Sequence, residues 1–424
     1  MEGYKTRIAD KLLSRKLKGK GAVLIEGPKW CGKTTTAERM AASTLYMANA
    51  DNLSQNLRVA KLNPSRLLEG ANPRLIDEWQ VAPSLWDAIR FDVDHRRNYG
   101  LFILTGSAVP PQTAEIIHTG TGRFSWLTMR PMSLWESGES NGSVSLASLF
   151  EESNQLTGTN NLSLDDIAFL VCRGGWPDAT NMEGETALDQ AFDYVEAVVN
   201  YDISRADGVK RDSDRVRRLL RSYARYQGSQ ATIKSIRKDM LVNDTDTLDE
   251  DTVSSYISAL RKIFVVEDLP AWNPNLRSKT AIRTSVNRYF TDPSIASAAM
   301  GAGPADLLND LETFGLFFET LCIRDLRVYA DALYGKVYHY RDSNGLECDA
   351  VVHLRNGAYG LIEIKMGGED LINAGAANLT KFEHIIDTSR MKSPSFKMVI
   401  TAVGTYAYRR EDGIYVVPIG CLKD

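Results

Sequence analysis

Residues 27–34 combine two glycines, a lysine and a threonine at the spacing of a phosphate-binding loop. In "GPKWCGKT", Gly27, Gly32, Lys33 and Thr34 fit the pattern G-x-x-x-x-G-K-[ST]. Backbone amides and the lysine of such a loop bind phosphate oxygens, and the threonine hydroxyl binds Mg²⁺. We therefore predict that ATP and Mg²⁺ bind here, with the nucleotide in contact with Gly27, Pro28, Lys29, Trp30, Cys31, Gly32, Lys33, Thr34 and Thr35.

Two acidic residues follow the apolar part of "PRLIDEWQ". An aspartate at the carboxyl end of a strand can hold Mg²⁺ through water, and an adjacent glutamate can polarise the water that attacks the phosphate. We predict that Asp77 supports the metal together with Thr34 and that Glu78 is catalytic. The next apolar stretch, "FILTGS", ends in Ser107, which could sense the γ-phosphate or cap a following helix.

Arg123 follows a glycine-rich turn in "HTGTGRF". It could act as an arginine finger that reaches the nucleotide of a neighbouring subunit, or it could be a solvated loop charge. We favour the finger and predict that Arg123 is catalytic. If the residue acts on a neighbouring subunit, the active protein is a homo-oligomer.

A second set of candidate residues lies towards the C-terminus, at Glu319, Asp349, Glu363 and Lys365. Carboxylates bind hard cations through oxygen, a bound metal activates water, and a lysine can stabilise charge on a phosphate. The set resembles the Mg²⁺ site of restriction-endonuclease-like folds, with the three acids as metal ligands and Lys365 as the catalytic residue. An ordinary half-exposed hairpin could also carry such residues.

The length of the hairpin loop tests this second set. A two-residue turn at Asn356 and Gly357 would place Asp349 on the face opposite to Glu363 and Lys365. A three-residue loop from Asn356 to Ala358 would place Asp349 opposite Lys365, on the same face, with Gly357 supplying a left-handed residue. We therefore predict an odd-length loop or a bulge.

Apolar runs precede the N-terminal candidates and predict the elements that position them. The run 22–25, the stretch before Asp77 and the stretch before Ser107 indicate strands that end in polar residues on one side. Such strands are typical of a parallel α/β sheet whose site lies at the carboxyl edge. Polar residues after "MSLWESG" indicate an exposed loop before a helical lid.

The middle of the chain is locally basic, with eleven Lys or Arg residues between positions 203 and 238. A helix, a turn and a helix beginning near Thr252, followed by an apolar strand, fit a winged helix-turn-helix. Ser254, Ser255 and Ser258 would then lie where base edges are read. The alternative is a module that packs between domains and transmits motion.

Length, net charge and composition restrict the number of domains, the kind of DNA-binding surface and the cellular compartment. The 424 residues predict two or three domains, and the net charge of −4 means that any DNA-binding surface must be local. The five cysteines form no CxxC pair, which is typical of a reducing compartment. We find neither a signal peptide nor an apolar run of about 18 residues, so we expect a cytoplasmic protein without a membrane span.

The order of the blocks "GPKWCGKTTTA", "LIDEWQ", "FILTGSA", "MRPMSLWESG" and "RGGWP" resembles AAA-type ATPases fused to the domain of unknown function numbered 4143. The resemblance implies an α/β architecture: a P-loop parallel-sheet ATPase core (1–140), a loop and helical lid (141–208), a winged-helix module (209–300) and a mixed α/β restriction-endonuclease-like domain (301–424). We expect ATP hydrolysis coupled to conformational change on DNA. The alternative is a nucleotide-dependent switch that binds protein partners.

Overall fold

The computed structural model describes residues 3–106, 120–151, 157–241, 248–273, 285–389 and 391–424. The chain forms two compact units. The first contains residues 1–130 with 262–264, and the second contains residues 131–261 and 265–424. Among the helices of the described residues, none combines the length and apolar composition that crossing a bilayer requires.

The N-terminal unit is built on a parallel sheet. Its helices are α1 Ile8–Leu17, α2 Lys33–Glu38, α3 Leu53–Leu62 and α4 Ser84–Arg96. Its strands are β1 Ala22–Glu26, β2 Ser43–Tyr46, β3 Arg74–Asp77, β4 Phe102–Gly106 and β5 Phe124–Thr128. They pair in the order β2-β3-β4-β1-β5, and each pair is parallel. The predicted sheet is confirmed, and the carboxyl ends of β1, β3 and β4 meet at one edge.

The two central strands of this sheet are buried by apolar residues on both faces. Leu24 of β1 and Leu104 of β4 are almost inaccessible to solvent. Two-sided burial is what a parallel sheet covered by helices requires, and it explains the continuous apolar runs in the sequence. Trp79 and Trp86 pack beside the sheet with ring centroids 5.1 Å apart. The edge that carries the polar residues is therefore held by a rigid core.

The second unit begins with a helical part. The helices that begin in this unit are α5 Leu134–Ser137, α6 Leu146–Phe150, α7 Leu164–Arg173, α8 Gly184–Ala197, α9 Ile203–Arg205, α10 Ser213–Arg225, α11 Ile233–Met240, α12 Glu250–Lys262, α13 Pro293–Met300, α14 Pro304–Asn309, α15 Leu311–Ala332 and α16 Glu369–Ile385. One π-helical turn, Val198–Asp202, connects α8 to α9. After α12 the chain makes two antiparallel bridges, Val266 with Phe290 and Leu269 with Asn287.

A mixed sheet forms the rest of the second unit. The strands of the unit are β6 Val144–Ser145, β7 Gly158–Thr159, β8 Gly335–Arg341, β9 Glu347–Leu354, β10 Tyr359–Lys365, β11 Phe396–Thr401, β12 Tyr406–Arg409, β13 Tyr415–Pro418 and β14 Leu422–Lys423. The sheet order is β7-β12-β13-β11-β10-β9-β8. Strands β8, β9 and β10 are antiparallel, whereas β10, β11 and β13 are parallel. Helices α15 and α16 pack against this sheet.

The polar segment after "MSLWESG" is not simply an exposed loop, so that expectation was wrong. Strand β6 pairs with β14, and β7 pairs with β12 at the edge of the large sheet. Two polar side chains donate to backbone carbonyls near the C-terminus: Ser140 donates to the Leu422 carbonyl of β14 at 2.6 Å, and Asn160 donates to the Gly404 carbonyl, between β11 and β12, at 3.0 Å. Hydrogen bonds of this kind allow a polar sequence to be buried.

Candidate nucleotide site and C-terminal carboxylate cluster

The predicted phosphate-binding loop connects β1 to α2. Gly32 lies just before α2 with φ of 94°, a left-handed conformation that glycine adopts without strain. A Cβ at residue 27 would lie 2.0 Å from the Met129 carbonyl oxygen, so only glycine fits there. The strand, loop and helix are thus arranged as the motif requires, with the start of α2 directed at the loop.

Lys33 is buried at the base of this loop. Its Nζ donates to the Gly27 carbonyl at 2.9 Å and to the Pro28 carbonyl at 2.6 Å. These carbonyls are neutral partners, so phosphate oxygens, which carry negative charge, would compete favourably for the same ammonium group. Lys33 therefore lies where the motif predicts a phosphate-binding cation.

Asp77, at the end of β3, accepts two hydrogen bonds on Oδ1. The Thr34 hydroxyl donates at 2.7 Å from the start of α2, and the Thr105 hydroxyl donates at 2.6 Å from β4. Three elements thus bring oxygen atoms to one point at the carboxyl edge of the sheet. The structure brings together Thr34 and Asp77, the two residues predicted to hold Mg²⁺.

Glu78 follows Asp77 and has a left-handed backbone, with φ of 52° and ψ of 46°. This conformation is uncommon for residues with a side chain and is concentrated at functional sites. Burial raises the pKa of the Glu78 carboxyl, and the neighbouring Asp77 charge raises it further. The Gln80 side-chain amide donates a hydrogen bond to Glu78 Oε2. Sequence reasoning did not identify Gln80.

The other predicted nucleotide contacts have mixed environments. The Cys31 side chain is buried with Sγ 3.5 Å from the Met129 carbonyl oxygen, so the thiol faces the protein interior. Trp30 is exposed and left-handed, with φ of 65°. Arg7, which sequence reasoning missed, is buried and donates to the Cys31 carbonyl at 2.8 Å. Ser107 lies outside the described residues, and its role stays a prediction.

Arg123 is not brought to this chain's phosphate loop. It immediately precedes β5, whose first residue pairs with Ala22 at the start of β1, so Arg123 lies at the edge of the sheet opposite to the loop. A five-residue strand spans roughly 15 Å, which separates the two edges. Arg123 is exposed and donates to Asp94 at 2.6 Å. Its predicted role therefore requires a second subunit.

The C-terminal hairpin has the odd loop length that the sequence predicted. Leu354 pairs with Ala358 through a 2.8 Å hydrogen bond, which leaves residues 355–357 as a three-residue loop. The predicted loop position was wrong by one residue, because Gly357, with φ of 83°, occupies the third loop position, where a left-handed residue is needed. The observed register runs from Tyr359 opposite His353 to Ile362 opposite Ala350. It places Asp349, Glu363 and Lys365 on the same face.

Lys365 bridges the two carboxylates of this face. Its Nζ lies 2.7 Å from Glu363 Oε2 and 3.2 Å from Asp349 Oδ2. Burial lowers the pKa of Lys365, but the two carboxylates outweigh that effect and raise it above its usual value. Burial and the Asp349 charge raise the pKa of Glu363, which also accepts from Asn378 at 2.8 Å. The cluster is compact and contains its own counter-charge.

Glu319 lies in α15 and is held by residues of the preceding helical part. The buried Tyr289 hydroxyl donates to Glu319 Oε1, and a Cβ on Gly228 would lie 2.9 Å from the same oxygen. Burial raises the pKa of Glu319, and the nearby Asp349 charge raises it further. In the part of the chain that the structure describes, no group of three or more His, Cys, Asp or Glu side chains is arranged to hold a metal ion.

Three regions of the chain match known domain families. Residues 19–137 match the AAA domain, residues 164–306 match a domain of unknown function (DUF8612), and residues 314–422 match a domain of unknown function (DUF4143). A comparison with curated proteins gave no match. The two families that the blocks of sequence resembled are therefore both present, at opposite ends of the chain.

The similar solved structures share little sequence identity with this chain. A Walker-type ATPase of Pyrococcus abyssi is 14% identical and covers 69% of this chain and 94% of its own, with a TM-score of 0.41. AMPPCP-bound DnaA from Aquifex aeolicus is 15% identical over 62% of this chain and 89% of its own, with a TM-score of 0.29. A single-substitution variant of RuvB from Thermotoga maritima has the same identity and coverage, with a TM-score of 0.28. The chain therefore contains an AAA domain over residues 19–137 and a DUF4143 domain over residues 314–422.

Proposed function

We propose that the N-terminal unit binds ATP with Mg²⁺ and hydrolyses it, and that hydrolysis is coupled to action on DNA. The observation that carries the proposal is the arrangement around Asp77. Its carboxylate joins Thr34 of the phosphate loop to Thr105 of β4, and the half-buried Glu78 lies next to it in sequence. This is the residue set that a P-loop ATPase needs, at one edge of one sheet.

The residues present fit a magnesium ion. Thr34 Oγ1 and Asp77 Oδ1 lie 2.7 Å apart, and both are the oxygen donors that this hard cation prefers. Mg²⁺ bound there would neutralise charge on the phosphates during hydrolysis. Thr34 would hold the ion directly and Asp77 would hold it through water.

Three side chains would have separate roles in ATP hydrolysis. Lys33 would leave the loop carbonyls and bind phosphate oxygens. Glu78 would accept a proton from the attacking water, and its raised pKa makes it a better base than an exposed glutamate. Arg123 would stabilise the transition state at the site of a neighbouring subunit, since it lies at the wrong edge to serve its own. The active form is then a homo-oligomer.

The helical part of the second unit is proposed to bind DNA as a winged helix. Helices α10, α11 and α12 precede the two antiparallel bridges, an order that suits this motif. The exposed side of α12 presents Ser254, Ser255 and Ser258. Some basic residues nearby already have partners: Arg217 pairs with Glu196, and Arg225 pairs with Asp239. These exposed pairs are weak, so phosphates could compete for both arginines.

The C-terminal cluster supports a second proposal, phosphodiester cleavage in a restriction-endonuclease-like domain. Asp349, Glu363 and Lys365 share one face, and the pKa values of Glu319 and Glu363 are both raised, as is common in active sites. The metal ligands do not form a complete set among the described residues, because Lys365 joins two of the acids and Tyr289 binds the third.

The first experiment measures ATP turnover with and without Mg²⁺, and with and without duplex or single-stranded DNA. We expect turnover by the wild type that needs Mg²⁺ and rises with DNA, and we expect Asp77→Asn to abolish it. Turnover that ignores DNA would favour the alternative, a nucleotide-dependent switch that binds protein partners. Absence of Mg²⁺-dependent turnover would overturn the ATPase proposal.

A separate assay tests cleavage. Wild type, Asp349→Ala and Lys365→Ala are compared on linear duplex with Mg²⁺ or Mn²⁺. Products formed by the wild type alone would support the C-terminal site. Equal products from all three proteins would show contamination, and no product from the wild type would contradict cleavage.

A further inference from the structure

Gln80 lies within reach of the glutamate that we propose as the catalytic base. The left-handed backbone at Glu78 turns the chain into the short 3₁₀ turn Trp79–Val81. The Gln80 side chain then points back, and its Nε2 donates to Glu78 Oε2. Because the donor is a neutral amide, it orients Glu78 without forming an ion pair that would neutralise the carboxylate.

The other half of the Gln80 amide points to a place for a ligand. In the described part of the chain, Gln80 Oε1 is buried without a hydrogen bond, and so is Nε1 of the neighbouring Trp79. Leaving such groups unsatisfied is unfavourable, and native proteins keep them mainly where a ligand or water completes the bond. The pair therefore indicates a place that a polar ligand fills.

Gly106 packs closely against this place. It ends β4 and pairs with Glu26, the last residue of β1 before the phosphate loop. A Cβ on Gly106 would lie 2.7 Å from Gln80 Oε1 and 3.3 Å from Trp79 Nε1. The amide oxygen thus lies at the carboxyl edge between β3 and β4, beside the strand that leads to Lys33.

We infer that Gln80 is a positioning residue for ATP hydrolysis: its N–H group holds the Glu78 carboxylate, and its amide oxygen accepts a hydrogen bond from the attacking water. The inference rests on the proposed ATPase function. In the step, the water oxygen bonds to the γ-phosphorus, one water proton passes to Glu78, and the bond from the γ-phosphorus to the bridging oxygen breaks. ADP leaves with that electron pair, and Gln80 is unchanged.

A glutamine that served only to tie the turn to β4 would affect stability and not the chemical step. The two roles are separated by kcat, by ATP affinity and by a double-mutant cycle. Gln80→Leu removes both hydrogen bonds at similar size, and Gln80→Met does so without branching, should the leucine variant fail to fold. Gln55→Leu, at an exposed position of α3, is the matched control.

The experiment measures steady-state ATP turnover and ATP Kd for wild type, Gln80→Leu, Glu78→Ala and the double variant. We expect Gln80→Leu to lower kcat by about 10- to 100-fold, with ATP Kd within about twofold of wild type. Because one of the two Gln80 hydrogen bonds acts through Glu78, the same change in the Glu78→Ala background should lower turnover by a smaller factor than in the wild-type background.

Two results would overturn the inference. One is wild-type kcat in both Gln80 variants, and the other is an equal loss of turnover with and without Glu78. If the wild type itself shows no Mg²⁺-dependent turnover, the proposed function fails, and the inference fails with it. The control Gln55→Leu should match the wild type throughout.

Discussion

Both candidate sites of this protein combine acidic residues with a lysine at a sheet, yet they distribute the charges differently. At the N-terminal site Lys33 binds loop carbonyls, while Asp77 accepts from two hydroxyls. At the C-terminal site Lys365 binds both carboxylates itself. The first site keeps its cation and its acids apart, whereas the second neutralises them against each other.

The difference indicates which site is ready for a ligand. Neutral hydroxyl partners leave the charge of Asp77 available to a cation, and neutral carbonyl partners leave the charge of Lys33 available to phosphate. In the C-terminal cluster, any added cation must compete with Lys365 for the same oxygens. We therefore expect nucleotide chemistry at the N-terminal site once Lys33 exchanges its neutral loop carbonyls for phosphate, and metal binding at the C-terminal site only if Lys365 leaves the two carboxylates.

The largest effect should come from substitution of Arg123. In its own subunit this arginine lies at the edge of the sheet opposite to the phosphate loop, so it would supply its positive charge to the N-terminal site of a neighbouring subunit. Arg123→Ala is expected to lower kcat roughly 10³-fold and to leave ATP binding unchanged, as for other arginine fingers. Mixing Arg123→Ala subunits with Lys33→Ala subunits should restore activity, because each supplies what the other lacks. Steady-state turnover of the mixture is the measurement. No recovery, or no loss in Arg123→Ala alone, would contradict action between subunits.

Lys33→Ala tests the lysine of the N-terminal site, which bonds to loop carbonyls and not to the acidic residues. We expect ATP affinity to fall by about 100-fold, equivalent to about 3 kcal/mol, because the phosphates lose their main cation. The free energy of unfolding should change little, since the partners of the lysine are neutral loop carbonyls. Isothermal titration of ATP and thermal unfolding are the measurements, with Lys20→Ala, whose lysine donates to Gly122 in an exposed bond, as control. Unchanged affinity would show that Lys33 does not meet phosphate.

Lys365→Met tests the C-terminal cluster, where the lysine is paired with both carboxylates. In contrast to Lys33→Ala, this substitution should lower the free energy of unfolding. Removing the lysine leaves Asp349 facing the buried Glu363, so we expect a loss of about 2 kcal/mol in the free energy of unfolding at pH 8, less than for a fully buried pair because Lys365 is partly exposed. Burial raises the pKa of Glu363, so protonation relieves the repulsion and the loss should shrink as the pH falls towards 5.

The control for this prediction is Lys397→Met on the neighbouring strand β11, which breaks an ion pair with Glu383 of helix α16. Because that pair is more exposed on its acidic side, its loss should cost less than about 1 kcal/mol. Urea unfolding at pH 5 and pH 8 gives both values. A loss in Lys365→Met that does not depend on pH would contradict the account of the cluster.

The smallest effect concerns DNA. Arg221 is an exposed residue of α10, and Arg221→Ala should weaken duplex binding about threefold and reduce the slope of log affinity against log salt by about one. Lys381→Ala, an exposed lysine of α16, removes an equal charge elsewhere and should leave both values unchanged. A flat salt response of the wild type would remove the DNA proposal.

Local chemistry made much of the molecule predictable. The phosphate loop, the strand before Asp77 and the odd hairpin loop all depend on short-range spacing that the sequence displays directly. The hairpin was misplaced by one residue because the choice between two odd loops depends on which position is left-handed, and Gly357 can serve in either. The prediction of an odd loop length, which decides whether Asp349 and Glu363 share a face, was nonetheless correct.

Contacts made between distant segments could not be predicted. Arg7 holds the loop carbonyl of Cys31, and Tyr289 holds Glu319, only because the fold brings them together. Gln80 was close to Glu78 in sequence, but its contact depends on the left-handed turn at Glu78, which no propensity favours. The polar segment after α5 was misjudged because its hydrogen-bond partners are strands near the C-terminus.

The central claim, that the carboxylates beside the phosphate loop hydrolyse ATP, is tested most directly by the nucleotide that the protein retains. Wild type and Glu78→Gln are incubated with ATP and Mg²⁺, freed of unbound nucleotide, denatured and analysed by ion-exchange chromatography. We expect ADP in the wild type and intact ATP in Glu78→Gln. ADP in equal amounts in both proteins, or ATP retained unchanged by the wild type, would contradict the claim.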